Sequence, residues 1–186
     1  MNETIRIYHA GFDIIETPDI TRGRANADFG QGFYVSPNEE FCRRWAKHRK
    51  GEKAYINTYE LDLKDLKIKR FQRDEEWFSY IYDNRYHKDD RNKDYDLIIG
   101  PIANDTIYDT FGIITSGILS KQEAMKLLLI GNEYEQIVLK SEKAVSHLKF
   151  LSYEEVSEDE IASYREILSK EQEDYQKRFV ALLETF

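Results

Sequence analysis

Residues 28–39 read Asp28-Phe29-Gly30-Gln31-Gly32-Phe33-Tyr34-Val35-Ser36-Pro37-Asn38-Glu39. This run encodes a turn, a strand and a helix start, and the rest of the chain is read outward from it. Gly30 and Gly32 mark the turn. Phe33-Tyr34-Val35 is a short strand of good strand formers. Ser36, Pro37 and Glu39 occupy the N-cap, first and third positions of a capping box, so the spacing predicts a helix. That helix is expected to reach about Arg49, with Phe41 and Trp45 on one face. Lys47, His48, Arg49 and Lys50 then fall in its last turn, where cations suit the helix dipole, and Gly51 stops it.

Upstream, residues 5–9 alternate and predict a first strand, followed by a loop through Thr17-Pro18-Asp19. Downstream, residues 54–61 and 66–71 read as strands. Residues 74–86 have Trp77, Tyr80 and Ile81 at helical spacing. A strand over 95–99 ends at Gly100-Pro101, and a helix is expected around 106–115. Ser120 and Glu123 form a second capping box, for a helix ending at Gly131. Strands are predicted over 134–140 and 147–152. Ser157 and Glu160 form a third box, opening a long helix with an apolar series from Ile161, Tyr164 and Leu168 to Tyr175, Phe179, Leu182 and Phe186. Short strands interleaved with helices, without regular βαβ alternation, give an α+β fold.

The chain has 186 residues, enough for one domain with a sizeable core. Its 41% hydrophobic content, with 13 Tyr, 10 Phe and 2 Trp, excludes a disordered chain. A lone Cys42 excludes a disulfide scaffold and a cysteine zinc cluster. His9, His48, His87 and His147 lack metal-ligand spacing, so no metal is expected. No apolar run reaches membrane-spanning length and the first residues do not resemble a signal peptide, so a cytoplasmic protein with no membrane partner is expected.

The net charge is −8. Residues 152–186 hold ten acids against four bases, so this segment supplies most of the acidity. A general affinity for nucleic acid is therefore excluded, although Arg43, Arg44, Lys47, His48, Arg49, Lys50 and Lys53 concentrate positive charge locally. The expected organisation is a domain over 1–151 and an acidic C-terminal helix over 152–186 packed on it.

There is no Walker A loop and no Rossmann glycine fingerprint. However, Tyr8-His9-Ala10-Gly11 followed by Phe29-Gly30-Gln31-Gly32-Phe33-Tyr34 resembles the NAD-binding signature of diphtheria-toxin-like ADP-ribosyltransferases, which include the poly(ADP-ribose) polymerases. Several stretches are more similar still to a bacterial family of unknown function assigned to that fold superfamily. They are Pro18-Asp19-Ile20 to Trp45-Ala46, Ile99-Gly100-Pro101-Ile102-Ala103-Asn104-Asp105, and Gln136 to Phe150. The resemblance implies split mixed sheets with flanking helices. It places His9 and Tyr34 on the first two members of a His-Tyr-Glu catalytic triad, and Trp45 on an aromatic that closes over nicotinamide.

The third member falls on one of two neighbours. The polymerase pattern points to Glu135 and the bacterial pattern to Gln136, which is preferred; strand alternation sends the two to opposite faces. Implied ligand contacts are Ala10, Gly11, Phe29, Gly30 and Gly32 around the nicotinamide end, Arg22 and Arg24 toward the pyrophosphate, and Asn104 and Asp105 along the pocket. The implied activity is transfer of a single ADP-ribose from NAD, as substrate, to a macromolecular acceptor, with release of nicotinamide. A toxin or effector role with a neutralising partner protein follows by analogy. The alternatives are an NAD glycohydrolase, a non-catalytic NAD or ADP-ribose binder, and an interaction protein acting through its C-terminal helix. Each residue also has a bland reading: a satisfied strand histidine, core aromatics, solvated loop arginines, a turn at 104–105 and a structural Cys42.

Overall fold

The computed structural model describes residues 4–46, 49, 51–86, 89–103, 111–114 and 116–186. In chain order it contains β1 (Thr4–Gly11), a 3-10 turn (Ile20–Arg22), β2 (Phe33–Val35), α1 (Glu39–Arg44), β3 (Ala54–Asp62), β4 (Ile68–Arg70) and α2 (Glu75–Arg85). There follow β5 (Leu97–Pro101), α3 (Phe111–Ile114), α4 (Lys121–Leu128), β6 (Glu135–Leu139), α5 (Glu142–Ser146), β7 (Leu148–Val156) and α6 (Glu158–Leu183). The fold is α+β.

The strands form two sheets. One is antiparallel, in the order β1-β3-β7; the other is mixed, in the order β2-β6-β5-β4, with only the β4–β5 pair parallel. The two sheets pack face to face over Ile7, Tyr59 and Leu61 from the first and Phe33, Val35, Leu97, Ile99, Ile137 and Leu139 from the second. The other face of the second sheet presents Ile98 and Val138 to α2, α4 and α6, where Trp77, Tyr80, Leu127, Tyr175 and Phe179 are buried. β5 and β6 are thus covered on both faces, which explains their unbroken apolar runs. A third cluster joins α1 to β3, β7 and α6 through Cys42, Ala46, Ile56, Val156 and Ile161.

A two-way backbone bridge stitches the sheets together. Tyr8 N–H donates to the Ser36 carbonyl at 2.8 Å and Ser36 N–H donates to the Tyr8 carbonyl at 2.9 Å. This bridge corrects the expected start of α1. With both backbone groups of Ser36 committed to β1, the helix begins at Glu39 and Asn38 is its cap, accepting from Phe41 N–H at 2.9 Å. The helix also ends at Arg44, well short of Arg49, with Trp45 as its C-cap.

The second capping box is complete, with Ser120 and Glu123 each satisfying the other's backbone. In the third, Ser157 caps Glu160 N–H at 3.2 Å, while the Glu160 carboxylate binds Arg43. β7 runs through Val156, past the expected boundary at 151/152, so residues 152–156 belong to the sheet and the helix starts at Glu158. Of the expected helix over 106–115, only 111–114 are among the described residues. Among the described residues no helix is long and apolar enough to cross a membrane.

Candidate functional site

A cavity of about 560 Å³ opens where β1 and β2 meet. The end of β1 contributes Tyr8, His9 and Ala10; β2 and the residue after it contribute Tyr34, Val35 and Ser36. Phe41, Cys42 and Trp45 wall it from α1, Gln136 from the start of β6, and Arg24, Asn26, Ala27 and Asp28 from the loop before the glycine turn. Arg85 and Ile102 complete the lining.

His9 shares the core-facing side of β1 with Ile7, two residues further along, where its ring packs against Phe33 at 4.5 Å and meets the cavity at the end of the strand. Its Nδ1 lies 2.8 Å from the Tyr34 carbonyl, which only accepts, so Nδ1 carries the proton. Burial pushes the imidazole below its usual pKa, against the raising effect of that hydrogen bond. The neutral ring therefore keeps Nε2 as an acceptor. A Cβ at Gly11 would stand 3.2 Å from Nε2, so the glycine keeps that edge of the ring uncrowded.

Tyr34 is clamped at its tip. Its hydroxyl donates to the Gly30 carbonyl at 2.7 Å and accepts from Phe29 N–H at 3.0 Å. Burial, and then the charge of Asp28, raise its pKa well above the ordinary value, so it remains a phenol. The ring is oriented by its own turn and lines the cavity. Lys140 holds the same turn from behind, donating to the Phe29 carbonyl at 2.6 Å and to Asp90 at 2.6 Å.

The two third-member candidates separate cleanly. Gln136 is buried, lines the cavity, and leaves its Nε2 without a hydrogen-bond partner among the described residues. Glu135 is exposed and lies outside the lining; its backbone carbonyl accepts from Ser36 Oγ at 3.2 Å. A buried unsatisfied amide donor is costly unless a ligand completes it.

The other expected ligand residues divide. Ala10, Arg24 and Trp45 line the cavity, Arg24 as an exposed side chain and Trp45 half-buried. Gly11, Arg22, Phe29, Gly30 and Gly32 do not. Arg22 is exposed at the end of the 3-10 turn, and Phe29 is wholly buried against Phe71 and Tyr80. The glycines serve packing. Gly30 has φ +73°, and a Cβ there would meet Asp90 Oδ2 at 2.7 Å; one at Gly32 would meet the Leu139 carbonyl at 2.6 Å. Asn104 and Asp105 lie outside the described residues.

Sequence reasoning gives no site role to Asp28 and Arg85. Arg85 Nε and Nη2 donate to Asp28 Oδ1 at 2.9 and 2.7 Å, and both side chains are about nine-tenths buried. Asn84 donates to the Asp28 carbonyl at 3.0 Å, so the pair ties the end of α2 to the glycine-turn loop. Fifty-seven residues separate the partners, and nothing local in the sequence links them. Among the described residues Asp28 is the only carboxylate in the lining. Cys42 also lines the cavity, but burial pushes its thiol up to about 12, so it is not a thiolate nucleophile near neutral pH.

The local basic cluster is neutralised where it is described. Arg43 pairs with Glu39, Glu154 and Glu160, Arg44 with Glu40 and Glu171, Arg49 with Glu52, and Lys53 with Glu155. Lys47, His48 and Lys50 lie outside the described residues. Among the described residues no group of three His, Cys, Asp or Glu is placed to hold a metal ion.

No curated protein matches the sequence. A family model described as a protein of unknown function, DUF3990, matches residues 5–150, which takes in the cavity lining from Tyr8 to Gln136 and both sheets up to the first part of β7. The chain belongs to the DUF3990 family.

Proposed function

We propose that the cavity binds NAD and that the protein is an ADP-ribosyltransferase-like enzyme transferring a single ADP-ribose with release of nicotinamide. The observation that carries this reading is the convergence of His9, Tyr34, Trp45 and the unpartnered Gln136 amide on one cavity from four separate elements. These are the positions that the sequence resemblance singles out.

The chemistry of the lining supports it. The cationic nicotinamide ring suits the faces of Tyr34 and Trp45. The backbone beside Ala10 offers partners for its carboxamide. His9 Nε2 accepts from a ribose hydroxyl, and the Gln136 side chain adds a polar group to the lining beside it. Cleavage breaks the bond between nicotinamide nitrogen and the ribose anomeric carbon, and nicotinamide leaves with the bonding pair. The acceptor nucleophile then bonds to that carbon and loses its proton. The site's part is to hold the ribose and the leaving ring in position and to exclude water.

A second reading has its own support: binding of NAD or ADP-ribose without turnover. Gln136 is an amide, and Asp28 is engaged by Arg85. Among the described residues, the lining therefore presents no unengaged carboxylate to stabilise an oxocarbenium-like transition state or take a proton. Calorimetry with NAD, followed by incubation of labelled NAD with protein and cell lysate, separates the readings. Labelled macromolecules support transfer, and free ADP-ribose supports hydrolysis. Binding alone leaves a sensor, and no binding removes all three.

A further inference from the structure

The cavity wall made by α1 is held from outside by the C-terminal segment, most of which lies beyond the family-matched residues 5–150. α1 has six residues, too few to hold a helical shape alone in water. Its two sides are used differently. Phe41 and Cys42, with Trp45 just after the helix, face the cavity. Arg43 and Arg44 face the C-terminal segment. Arg43 binds Glu154 of β7, and Glu160 of α6 at 3.0 Å. Arg44 binds Glu171, well beyond a helical turn further along α6, at 2.8 Å, and the Tyr134 hydroxyl at 3.2 Å. The arginine side chains are only 13% and 15% exposed, while Glu154, Glu160 and Glu171 are 62%, 31% and 26% exposed, so the pairs are held at the arginine end and still open to salt at the carboxylate end.

We propose that Arg43 and Arg44 are positioning residues that, through Glu154, Glu160 and Glu171, fix Phe41 and Trp45 in the cavity wall. The C-terminal helix thereby sets the width of the cavity and its ligand affinity. The apolar contact of Cys42 and Ala46 with Ile161 anchors only the first turns of α6. The Arg44–Glu171 pair extends the hold along the helix, over a stretch where no α6 residue is buried between Ile161 and Tyr175.

Trp45 reports on this directly, because the only other tryptophan, Trp77, is wholly buried in the far core. Acrylamide quenching is measured on the full chain for wild type, Glu171→Gln, Arg44→Gln, Arg44→Lys and the Glu171→Gln/Arg44→Gln double variant. A Trp45→Phe control assigns the signal. Quenching of Trp45 rises in both single Gln variants, the double variant adds little beyond either, and Arg44→Lys stays near wild type. Raising salt from about 0.05 to about 0.5 M raises quenching in wild type more than in Glu171→Gln.

Unchanged Trp45 quenching in Glu171→Gln and at high salt overturns the proposal. So does a fall in melting temperature with no Trp45 response, which is what a merely structural pair gives. If Arg44→Gln does not fold, Glu171→Gln and the salt series still decide. With NAD as probe, affinity falls about tenfold in Glu171→Gln. That last arm rests on the function proposed above: absence of NAD binding to wild type removes that function and leaves the quenching outcome intact.

Discussion

At the scale of single residues, His9 and Gln136 carry opposite tensions. His9 is satisfied only when neutral. Its folded pKa lies below 6.5, so as pH falls below that value the unfolded chain takes up a proton that the folded chain resists. The contribution of His9 to stability is therefore complete above 6.5. It declines as pH drops toward the lowered folded value, and is constant again below it. An NMR titration of the imidazole will give a midpoint under 6.5, and ligand affinity will fall over the same descent as Nε2 becomes protonated. A midpoint at or above 6.5 contradicts the buried, neutral ring. Gln136 holds a donor that the folded chain leaves unsatisfied. Gln136→Leu, of similar volume, removes that penalty. It is expected to raise stability by about 1 kcal/mol, or roughly 2–4 °C in melting temperature, while abolishing NAD binding. Glu135→Gln, on the exposed side of β6, is expected to change neither. If Glu135→Gln abolishes activity and Gln136→Leu spares it, the two strand faces have been assigned the wrong way round.

At the scale of elements, the glycine turn before β2 is the part least tolerant of a side chain. Gly30→Ala places a side chain at φ +73° and 2.7 Å from the Asp90 carboxylate, beside Lys140. It is expected to cost about 2–3 kcal/mol in urea unfolding. Gly51→Ala has a similar φ of +81° but open space around the new Cβ, so about 1 kcal/mol is expected there. Equal costs at the two positions would show that dihedral strain alone matters and that the Asp90–Lys140 backing does not. This turn also marks the limit of what the sequence discloses. The Phe33–Val35 strand, the Ser120 and Ser157 caps and the α+β class are legible because each rests on local chemistry. The start of α1 is not, because Ser36 spends its backbone on Tyr8, in a strand far away along the chain. His9, Tyr34, Trp45 and Gln136, which line the cavity, are legible in advance only through the motifs that resemble a known family. Asp28 and Arg85 meet only through tertiary packing, and the roles of Gly30 and Gly32 depend on Asp90 and Leu139, which no motif connects to them.

At the scale of the whole molecule, the acidic C-terminal segment is part of the fold. Its charge alone reads as an appended surface, yet Glu154, Glu160 and Glu171 are spent on Arg43 and Arg44. Its apolar side chains also reach two separate cores: Ile161 lies beside α1, and Tyr175 and Phe179 lie beside α2 and α4. Burying each of these three side chains is worth about 1.5–3 kcal/mol, or roughly 5–9 together. That is comparable to the whole net stability of an ordinary domain, about 5–15 kcal/mol. Truncation after Ser157 keeps the seven strands of the described residues and the whole family-matched region, but opens both cores. The truncated chain is expected to keep much of its far-UV circular dichroism in the strands, bind a hydrophobic dye and lose its cooperative urea transition. A sharp transition with an undiminished slope would show instead that α6 rests on a core already complete without it.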